Sequence, residues 1–238
     1  MSISVTVWNE YRTHSGAEEW MSEPRQEQAD QAAEVYPEGI HAVLAEFFSD
    51  AGFETRTAVL SDPQHGLSPE VLAETDVLVW WSHYLYDEVD DDVVANVFER
   101  VQEGMGLIVL HSAREAKIFK RLMGTCCDVR ENRNHDEMER LWITEPSHPI
   151  ADGLDGSSIE IPASQIMGEP FEIPSPKDVV FTSWIEGGEV FRSGCCFVRG
   201  KGRIFYFGPG HETHPVYYQP EVQTVLANSV RWAAPRDS

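Results

Sequence analysis

The residues from Gly106 to Arg114 constrain the fold of this chain more than any other stretch. Four apolar residues, Leu107 to Leu110, stop abruptly at His111 and Ser112, which predicts a strand buried on both faces, as at the centre of a parallel sheet. Apolar residues at helical spacing follow as far as Met123, so His111 and Ser112 are predicted to occupy a strand-to-helix turn. In open α/β sheets, ligands and catalytic groups collect at such turns.

Predicted strands and helices alternate along the first half of the chain, up to residue 123. This order predicts an α/β protein with a doubly wound, mainly parallel sheet and helices on both faces. With 238 residues and 42% hydrophobic content, we expect a single domain spanning residues 1–238. The predicted strands lie at 3–8, 54–59, 76–81 and 106–110, and the predicted helices at 36–51, 68–75, 90–103 and 113–123.

The second half of the chain is less regular and predicts an additional antiparallel hairpin. A glycine-bearing turn at Gly200 and Lys201 joins the two strands of this hairpin. Residues 13–35 are polar and acidic, and their length favours a lid over the sheet edge, built as a long loop or a short helix. The remaining predicted elements are strands at 138–144, 158–161 and 179–184, the hairpin at 189–199 and 202–207, and a helix at 220–233.

The charge of the chain is strongly negative, with 40 Asp and Glu residues against 18 Lys and Arg residues and a formal net charge of -22. Only four of the cations are lysines. An acidic, lysine-poor surface is tolerated in molar salt, where repulsion between carboxylates is screened within about 3 Å, so we interpret it as halophilic. A site for basic partners is the alternative. Binding of nucleic acid is not expected, since phosphates would be repelled.

The amino terminus and the cysteines bear on the cellular compartment. No stretch approaches eighteen apolar residues, and Met1 to Ile3 lead directly into a predicted strand, so we expect neither a membrane span nor a signal peptide, and a cytoplasmic location. The four cysteines form two adjacent pairs without CxxC spacing, which favours small buried side chains over a metal site. The sequence does not decide whether a disulfide links the pair Cys126-Cys127 to the pair Cys195-Cys196.

Several polar side chains fall within a few residues of the carboxyl ends of strands predicted to share one sheet. They are Glu10, His83, His111, His211 and Glu212. Parallel strands lie about 5 Å apart, so we expect the three imidazoles within roughly 10 Å of one another in one pocket. We expect the two carboxylates in the same pocket, because the first strand is expected to lie beside the central one and Glu212 directly follows His211. His83, His111 and His211 could hold zinc or another divalent metal, or act as a general acid and base without metal, and the residue spacing does not choose.

Seven motifs spread over nearly the whole chain resemble the ThuA-like, trehalose-utilisation family, which is similar to the class I glutamine amidotransferase fold. The resemblance implies a flavodoxin-like α/β sheet with added strands. The motifs are VWNE at 7–10, YPEGIH at 36–41, DVLVWWSH at 76–83, GMGLIVLHS at 104–112, KIFKRLMG at 117–124, EGGEVFRSG at 186–194 and PGHET at 209–213.

The resemblance also limits the chemistry of the turn after the central strand. Amidotransferases carry a nucleophilic cysteine there and a His-Glu pair after a late strand, whereas this chain has His111-Ser112-Ala113 and His211-Glu212. A thiolate nucleophile is therefore absent, and Ser112 activated by His211 is the alternative. Other members often carry a second histidine where this chain has Tyr86, so a metal site using that ligand would be incomplete.

The family resemblance implies a role in the catabolism of trehalose and related disaccharides. Our leading hypothesis is an enzyme acting on a sugar or keto sugar, with His111, Ser112, His211 and Glu212 catalytic. The competing hypothesis is a non-catalytic sugar-binding or assembly protein. A homo-oligomer is compatible with both. Residues expected to bind the sugar or a metal are Glu10, Tyr11, His83 and Trp8, with Trp80 and Trp81 as further stacking candidates of which one must face the core.

Overall fold

The computed structural model of the chain describes residues 2–10 and 22–235, which form one nine-stranded sheet with six helices. The strand order is β2-β1-β3-β4-β9-β8-β7-β5-β6. The strands are β1 (Ser4–Asn9), β2 (Glu54–Val59), β3 (Val77–Trp81), β4 (Gly106–Leu110), β5 (Val129–Ile143), β6 (Ser158–Phe171), β7 (Asp178–Ile185), β8 (Val190–Arg199) and β9 (Gly202–Phe207). The helices are α1 (Glu23–Val35), α2 (Ile40–Asp50), α3 (Pro69–Ala73), α4 (Asp91–Glu103), α5 (Lys117–Met123) and α6 (Pro220–Ala233).

Strands β2, β1, β3, β4 and β9 are neighbours in this order and run parallel. The ends of β1, β3, β4 and β9 bring four chain segments to one edge of the sheet. Asn9 pairs with Trp81, Trp81 pairs with Leu110, and Leu110 pairs with Phe207. Because these residues end or nearly end their strands at the same level, the segments that follow them leave the sheet side by side. Six residues of the predicted site lie in these segments: Glu10, His83, His111, Ser112, His211 and Glu212.

Helices cover both faces of the parallel part, which confirms the doubly wound, flavodoxin-like class. The apolar faces of α2 and α6 pack on one side, with Leu44, Phe48 and Val225 fully buried. The other side is covered by α4 and α5, through residues such as Val97 and Phe119. No helix within residues 2–10 and 22–235 is long and apolar enough to cross a membrane.

The antiparallel half of the sheet is larger than the sequence pattern predicted. The predicted hairpin is present as β8 and β9. Beside it, where short strands were predicted, β5 and β6 contain 15 and 14 residues and pair along most of their length, with register shifts between Asn134 and Glu139. Prediction from alternation failed here because bulges interrupt the period of two. The predicted helix 113–123 is likewise shorter, since a 3-10 turn occupies His111–Glu115 before α5 begins at Lys117.

The order of the strands corrects one step in the argument for the site. We expected the first strand to lie beside the central one, but β3 lies between β1 and β4. The end of β1 is therefore two strand positions from His111 and adjacent to the turn that carries His83. All four cysteines are unbridged, with Cys126 exposed and the other three buried.

Candidate functional site

Three imidazole rings converge at the carboxyl edge of the parallel strands. The ring centroids of His83 and His211 lie 4.9 Å apart, those of His111 and His211 5.4 Å, and those of His83 and His111 5.9 Å. Each pair of rings meets close to perpendicular. His111 and His211 are fully buried and His83 is nearly so, as is the carboxylate of Glu212. The predicted convergence is confirmed, while the chemical roles of these residues stay predictions.

His111 occupies the turn after β4 in a left-handed backbone conformation, with φ at 52°. Such a conformation is uncommon for a residue with a Cβ and is found most often at functional sites, where the surrounding structure compensates its cost. The ring Nδ1 lies 2.8 Å from the carbonyl oxygen of Gly208, and Nε2 lies 2.7 Å from the side-chain amide of Gln165. His111 is therefore held by both ring nitrogens.

The hydrogen bonds of His111 define its protonation. Burial, followed by the charge of His83, lowers the pKa of His111 to about 4, so the ring is neutral near pH 7. A carbonyl can only accept, hence Nδ1 carries the proton and donates to Gly208. Nε2 is then an acceptor, which requires Gln165 to direct its NH2 group toward the ring.

His83 and Glu212 form a carboxylate–imidazole pair. Nδ1 of His83 donates to Oε1 of Glu212 across 2.7 Å, with both side chains more than nine-tenths buried. Burial lowers the pKa of His83, but the charge and hydrogen bond of Glu212 oppose this, and the charge of Glu10 adds to them, so the net pKa lies above its ordinary value. The bond orients the ring and leaves Nε2 as the nitrogen that exchanges a proton.

His211 lies against the same carboxylate and against helix α1. Its Nε2 is 3.6 Å from Oε2 of Glu212 and 2.7 Å from the side-chain amide of Gln28. Its Nδ1 lies 2.8 Å from the Thr213 hydroxyl and accepts from the Thr213 backbone N–H. Burial lowers the pKa of His211 well below its ordinary value, so this ring is neutral beside the more basic His83. Because Nδ1 accepts, the single ring proton lies on Nε2.

Glu10 lies behind the cluster and shapes the turn after β3. Its two carboxylate oxygens accept the backbone N–H groups of Tyr84 and Leu85, each at 2.9 Å. Burial raises the pKa of Glu10 to about 7, although these backbone bonds and the charge of His83 lower it. Since each oxygen accepts one backbone N–H and the side chain has no exposed surface, Glu10 orients the segment that carries His83.

A metal ion would fit one subset of these residues. Ligand atoms of His83, His211 and Glu212 all lie within 4.8 Å of one another. Two imidazoles and a carboxylate are a ligand set used by catalytic zinc. His111 does not belong to this subset, because its nitrogens are directed at Gly208 and Gln165. An ion on Nδ1 of His83 would replace the proton shared with Glu212, and an ion on Nε2 would occupy the nitrogen needed for proton transfer. In either case metal binding and action of His83 as a base exclude each other.

Two of the predicted site residues that the structure describes do not join the cluster. Trp8 has no exposed surface: its ring stacks on Trp80 at 4.0 Å and its Nε1 donates to the carbonyl of His65. It therefore cannot present a face to a sugar. Ser112 is buried, and the ring nitrogens of His211 contact other groups, so the pair needed for a serine nucleophile is not formed among the described residues. Tyr11 lies outside the described residues.

The remaining two tryptophan candidates also lie in the core. Trp80 packs on one face of the sheet beside Trp8, and Trp81 packs on the other, where its Nε1 donates to the carbonyl of Gly210. Strand alternation predicted that one of them faces the core. Both do, because helices cover both faces of the sheet at this point.

Helix α1 contacts the cluster through Gln28, which lies 2.7 Å from Nε2 of His211. A lid was expected over residues 13–35, of which 13–21 lie outside the described residues. A cavity of about 270 Å³ lies beside α1 and is lined by Gln28, Tyr84 and Gln165 among others. Gln28 contacts His211 and the Tyr84 hydroxyl, and Gln165 contacts His111. These two amides separate the cavity from the imidazoles. A second cavity of about 450 Å³ is lined by residues of α1 and by Thr213 and His214.

Gln28, Tyr84 and Gln165 were missed by the sequence analysis. Gln165 lies beyond residue 161, where the predicted strand ended, and a lone glutamine carries no motif. Tyr84 directly follows His83 and stacks on its ring at 4.0 Å, so its position in the strand-end turn was a usable signal. A larger cavity of about 530 Å³, lined by His148 and Arg203 among others, lies near the end of α6 and contains none of the clustered residues.

A model of the family described as "ThuA: Trehalose utilisation" matches residues 12–233 of the chain. No curated protein matches this chain. Among solved structures, a protein described as ThuA-like from Parabacteroides merdae shares 15% identity with a TM-score of 0.70, over 100% of this chain and 93% of that one.

Two further solved structures have the same fold. A cytoplasmic protein from Salmonella typhimurium is 14% identical with a TM-score of 0.61, over 98% of this chain and 99% of its own. Another ThuA-like protein, from Bacteroides uniformis, is 17% identical with a TM-score of 0.62, over 97% of this chain and 90% of its own. At these identities the likeness shows a shared fold and does not extend to activity.

Proposed function

The chain belongs to the ThuA, trehalose-utilisation family, and we propose that it is an enzyme of disaccharide catabolism that acts on a sugar or a keto sugar by acid–base chemistry. The observation that carries this proposal is the buried pair of His83 and Glu212, joined over 2.7 Å beside His211. A buried carboxylate bonded to an imidazole at the edge where ligands enter is a common arrangement for a general base.

His83 is the residue that takes the proton. Its Nδ1 is committed to Glu212, which stabilises the positive charge that the ring acquires, and its Nε2 receives the substrate proton. A pKa above the ordinary value makes the ring a stronger base, which suits removal of a weakly acidic proton. In a keto sugar that proton is bonded to the carbon next to the carbonyl group.

His211 acts as a neutral donor to the carbonyl oxygen. When a C–H bond next to a carbonyl loses its proton, negative charge develops on the carbonyl oxygen, and donors fixed in advance stabilise it. The ring proton of His211 lies on Nε2, since Nδ1 accepts the Thr213 N–H, and the two rings are 4.9 Å apart. An isomerase or a lyase would use this step directly.

His111 keeps the reacting pair basic and in place. Its ring lies 5.9 Å from His83 and 5.4 Å from His211, and both of its nitrogens are bonded to the protein. A positive charge on His111 would lower the pKa of His83 and weaken the base. Because burial holds His111 neutral, His83 alone acquires charge during the reaction.

The cavities beside α1 support a sugar as the substrate class. They are lined by amides, carboxylates and hydroxyl-bearing side chains such as Gln31, Glu34 and Thr213, which match the hydroxyls of a sugar. Entry to Nε2 of His211 requires the amide of Gln28 to give up its bond to that nitrogen. Gln28 lies on α1, so movement of this helix opens the site.

The experiment that tests the proposal is proton exchange in heavy water. We expect the protein, incubated in D2O with a keto derivative of trehalose, to place deuterium at the carbon next to the carbonyl, observed by NMR, whereas trehalose itself exchanges none. A parallel sample treated with EDTA distinguishes the metal-free pair from a zinc site on His83, His211 and Glu212. If keto sugars bind but neither exchange nor conversion occurs for any disaccharide, the protein is a non-catalytic binding protein.

The acidic surface is, in our proposal, an adaptation to high salt. Since the net charge is -22, repulsion among carboxylates destabilises the compact state at low ionic strength, and screening removes it. We expect the melting temperature to rise as KCl increases from about 0.1 M to above 1 M. Differential scanning fluorimetry measures this, and a melting temperature that stays flat or falls across the series refutes the proposal.

A further inference from the structure

The ring proton of His211 decides how the side-chain amide of Gln28 is oriented. Nδ1 of His211 accepts the backbone N–H of Thr213 over 3.2 Å, so the single proton of the neutral ring lies on Nε2. The amide of Gln28 lies 2.7 Å from this nitrogen. Because Nε2 donates, the amide must present its carbonyl oxygen, Oε1, to His211. The oxygen and nitrogen of a side-chain amide are told apart by such hydrogen-bond partners.

This orientation fixes the direction of the hydrogen bond between Gln28 and Tyr84. With Oε1 at His211, the NH2 group is the part of the Gln28 amide that meets the Tyr84 hydroxyl. An NH2 group only donates, so the hydroxyl oxygen of Tyr84 is the acceptor in this bond. The proton of the Tyr84 hydroxyl is therefore not used by Gln28.

The hydroxyl proton of Tyr84 has no acceptor within residues 2–10 and 22–235. In this part of the chain the hydroxyl bonds to Gln28 alone. Burial, followed by the charge of Glu212, raises the pKa of Tyr84 well above its ordinary value, so the hydroxyl stays protonated near pH 7. Tyr84 lines the cavity of about 270 Å³ beside α1. Its hydroxyl is thus a hydrogen-bond donor available to a ligand in that cavity.

Two contacts outside α1 fix the position of Tyr84. Its backbone N–H donates to the carboxylate of Glu10 over 2.9 Å. Its ring stacks on the ring of His83, with the two centroids 4.0 Å apart. Neither contact involves the hydroxyl or Gln28, so the donor stays in place beside His83 when α1 moves.

We propose that Tyr84 is a specificity-determining residue, whose hydroxyl donates a hydrogen bond to an oxygen of the bound sugar once the amide of Gln28 withdraws. Nε2 of His211 and the Tyr84 hydroxyl contact the same amide group, so its withdrawal leaves two donors close together. A keto sugar has two oxygens close together, because a hydroxyl-bearing carbon adjoins its carbonyl carbon. The proposal rests on the proposed function, which assigns the carbonyl oxygen of the sugar to His211.

Gln28 competes with the sugar for both donors. Removing the side chain of Gln28 removes this competitor, whereas removing the Tyr84 hydroxyl removes a donor that the sugar uses. The two changes are therefore expected to shift sugar binding in opposite directions. If the Tyr84 hydroxyl served only to hold Gln28, both changes would release the same amide and would shift binding in the same direction.

Calorimetric titration with a keto derivative of trehalose tests the proposal. We expect Tyr84→Phe, which keeps the ring on His83, to raise Kd by about threefold to tenfold, the usual contribution of one neutral hydrogen bond. Gln28→Ala is expected to lower Kd by a similar factor. Tyr218→Phe is the matched control, because it removes an exposed hydroxyl that bonds to the carbonyl of Val35 at the end of α1, and it leaves Kd unchanged.

Proton exchange in D2O supplies a second measurement. A hydrogen bond that is equally strong in the bound substrate and in the transition state changes KM and leaves kcat alone. We therefore expect Tyr84→Phe to raise KM, with kcat within about twofold of the wild type. Since Tyr84→Phe deletes a single oxygen atom and keeps the ring, the variant retains the packing of the wild type.

The titration separates this proposal from the proposed function. If no keto sugar is exchanged, a Kd raised in Tyr84→Phe and lowered in Gln28→Ala still supports the role of Tyr84. An unchanged Kd in Tyr84→Phe, or a shift of Kd in the same direction in both variants, overturns the proposal. A wild-type protein that binds no keto derivative overturns it as well.

Discussion

Replacing His83 by asparagine is expected to lower kcat for keto-sugar exchange by about 10²-fold to 10⁴-fold, the contribution of a positioned general base. Asparagine has an N–H that can still donate to Glu212, so the carboxylate stays paired and the turn keeps its shape. It lacks the nitrogen that corresponds to Nε2, so the proton acceptor is lost. Proton exchange followed by NMR at saturating substrate measures the loss, and circular dichroism verifies the fold.

Glu212→Gln is expected to have an effect of the same order for a different reason. The amide would direct its NH2 group at Nδ1 of His83, so the ring would carry its proton on Nε2, where a base must be unprotonated. The control is His148→Asn, which removes an imidazole that packs 5.7 Å from the ring of Trp232, outside the cluster. Retention of more than about half of the activity in either His83→Asn or Glu212→Gln is incompatible with the assigned roles.

The pH dependence of kcat follows from the shifts at His83. The base must be unprotonated to act, and the net pKa of His83 is raised because the effects of Glu212 and Glu10 outweigh the lowering by burial. The rate is therefore expected to rise with pH and to level off above the raised pKa. In His83→Asn the residual rate is expected not to show this rise with pH. A wild-type rate that falls as pH rises through neutrality contradicts the assignment.

Trp8→Ala is expected to destabilise the protein by about 3–5 kcal/mol, the usual cost of deleting a fully buried indole. The ring of Trp8 has no exposed surface, stacks on Trp80 and donates to the carbonyl of His65, so its loss leaves a cavity and removes a hydrogen bond. Chemical denaturation measures the free energy of unfolding. Trp142→Ala is the matched control, because this tryptophan is 43% exposed.

The same variant decides between the core role of Trp8 and the sugar-stacking role expected from sequence. A structural role predicts that KM and kcat per folded molecule change little below the transition. A stacking role predicts a KM raised by about tenfold or more with a small loss of stability, since stacking aromatics contribute about 1–3 kcal/mol to binding. Only the first outcome agrees with the buried position of the ring.

The sequence predicted those parts of the fold in which local pattern and tertiary environment agree. The buried run at 107–110 and the amphipathic stretch at 91–103 could be recognised because one face or both faces are apolar at a single period. The extensions of β5 and β6 could not, because bulges break the period and charged residues such as Glu131 and Arg133 lie along the strands. Gln165 was missed with that segment.

By itself the sequence determined which residues converge: polar side chains placed directly after apolar strands must meet at one sheet edge, because parallel strands end together and short connections cannot carry them elsewhere. His83, His111, His211 and Glu212 follow this rule. Only the tertiary structure decided which of these residues pair with each other and which protonation state each one has. The pairing of His83 with Glu212 depends on ångström-scale distances between segments 129 residues apart, and the neutral state of His111 depends on burial and on Gln165, a residue from another strand. Burial and hydrogen bonding of this kind arise from packing between distant segments, and no local pattern encodes them.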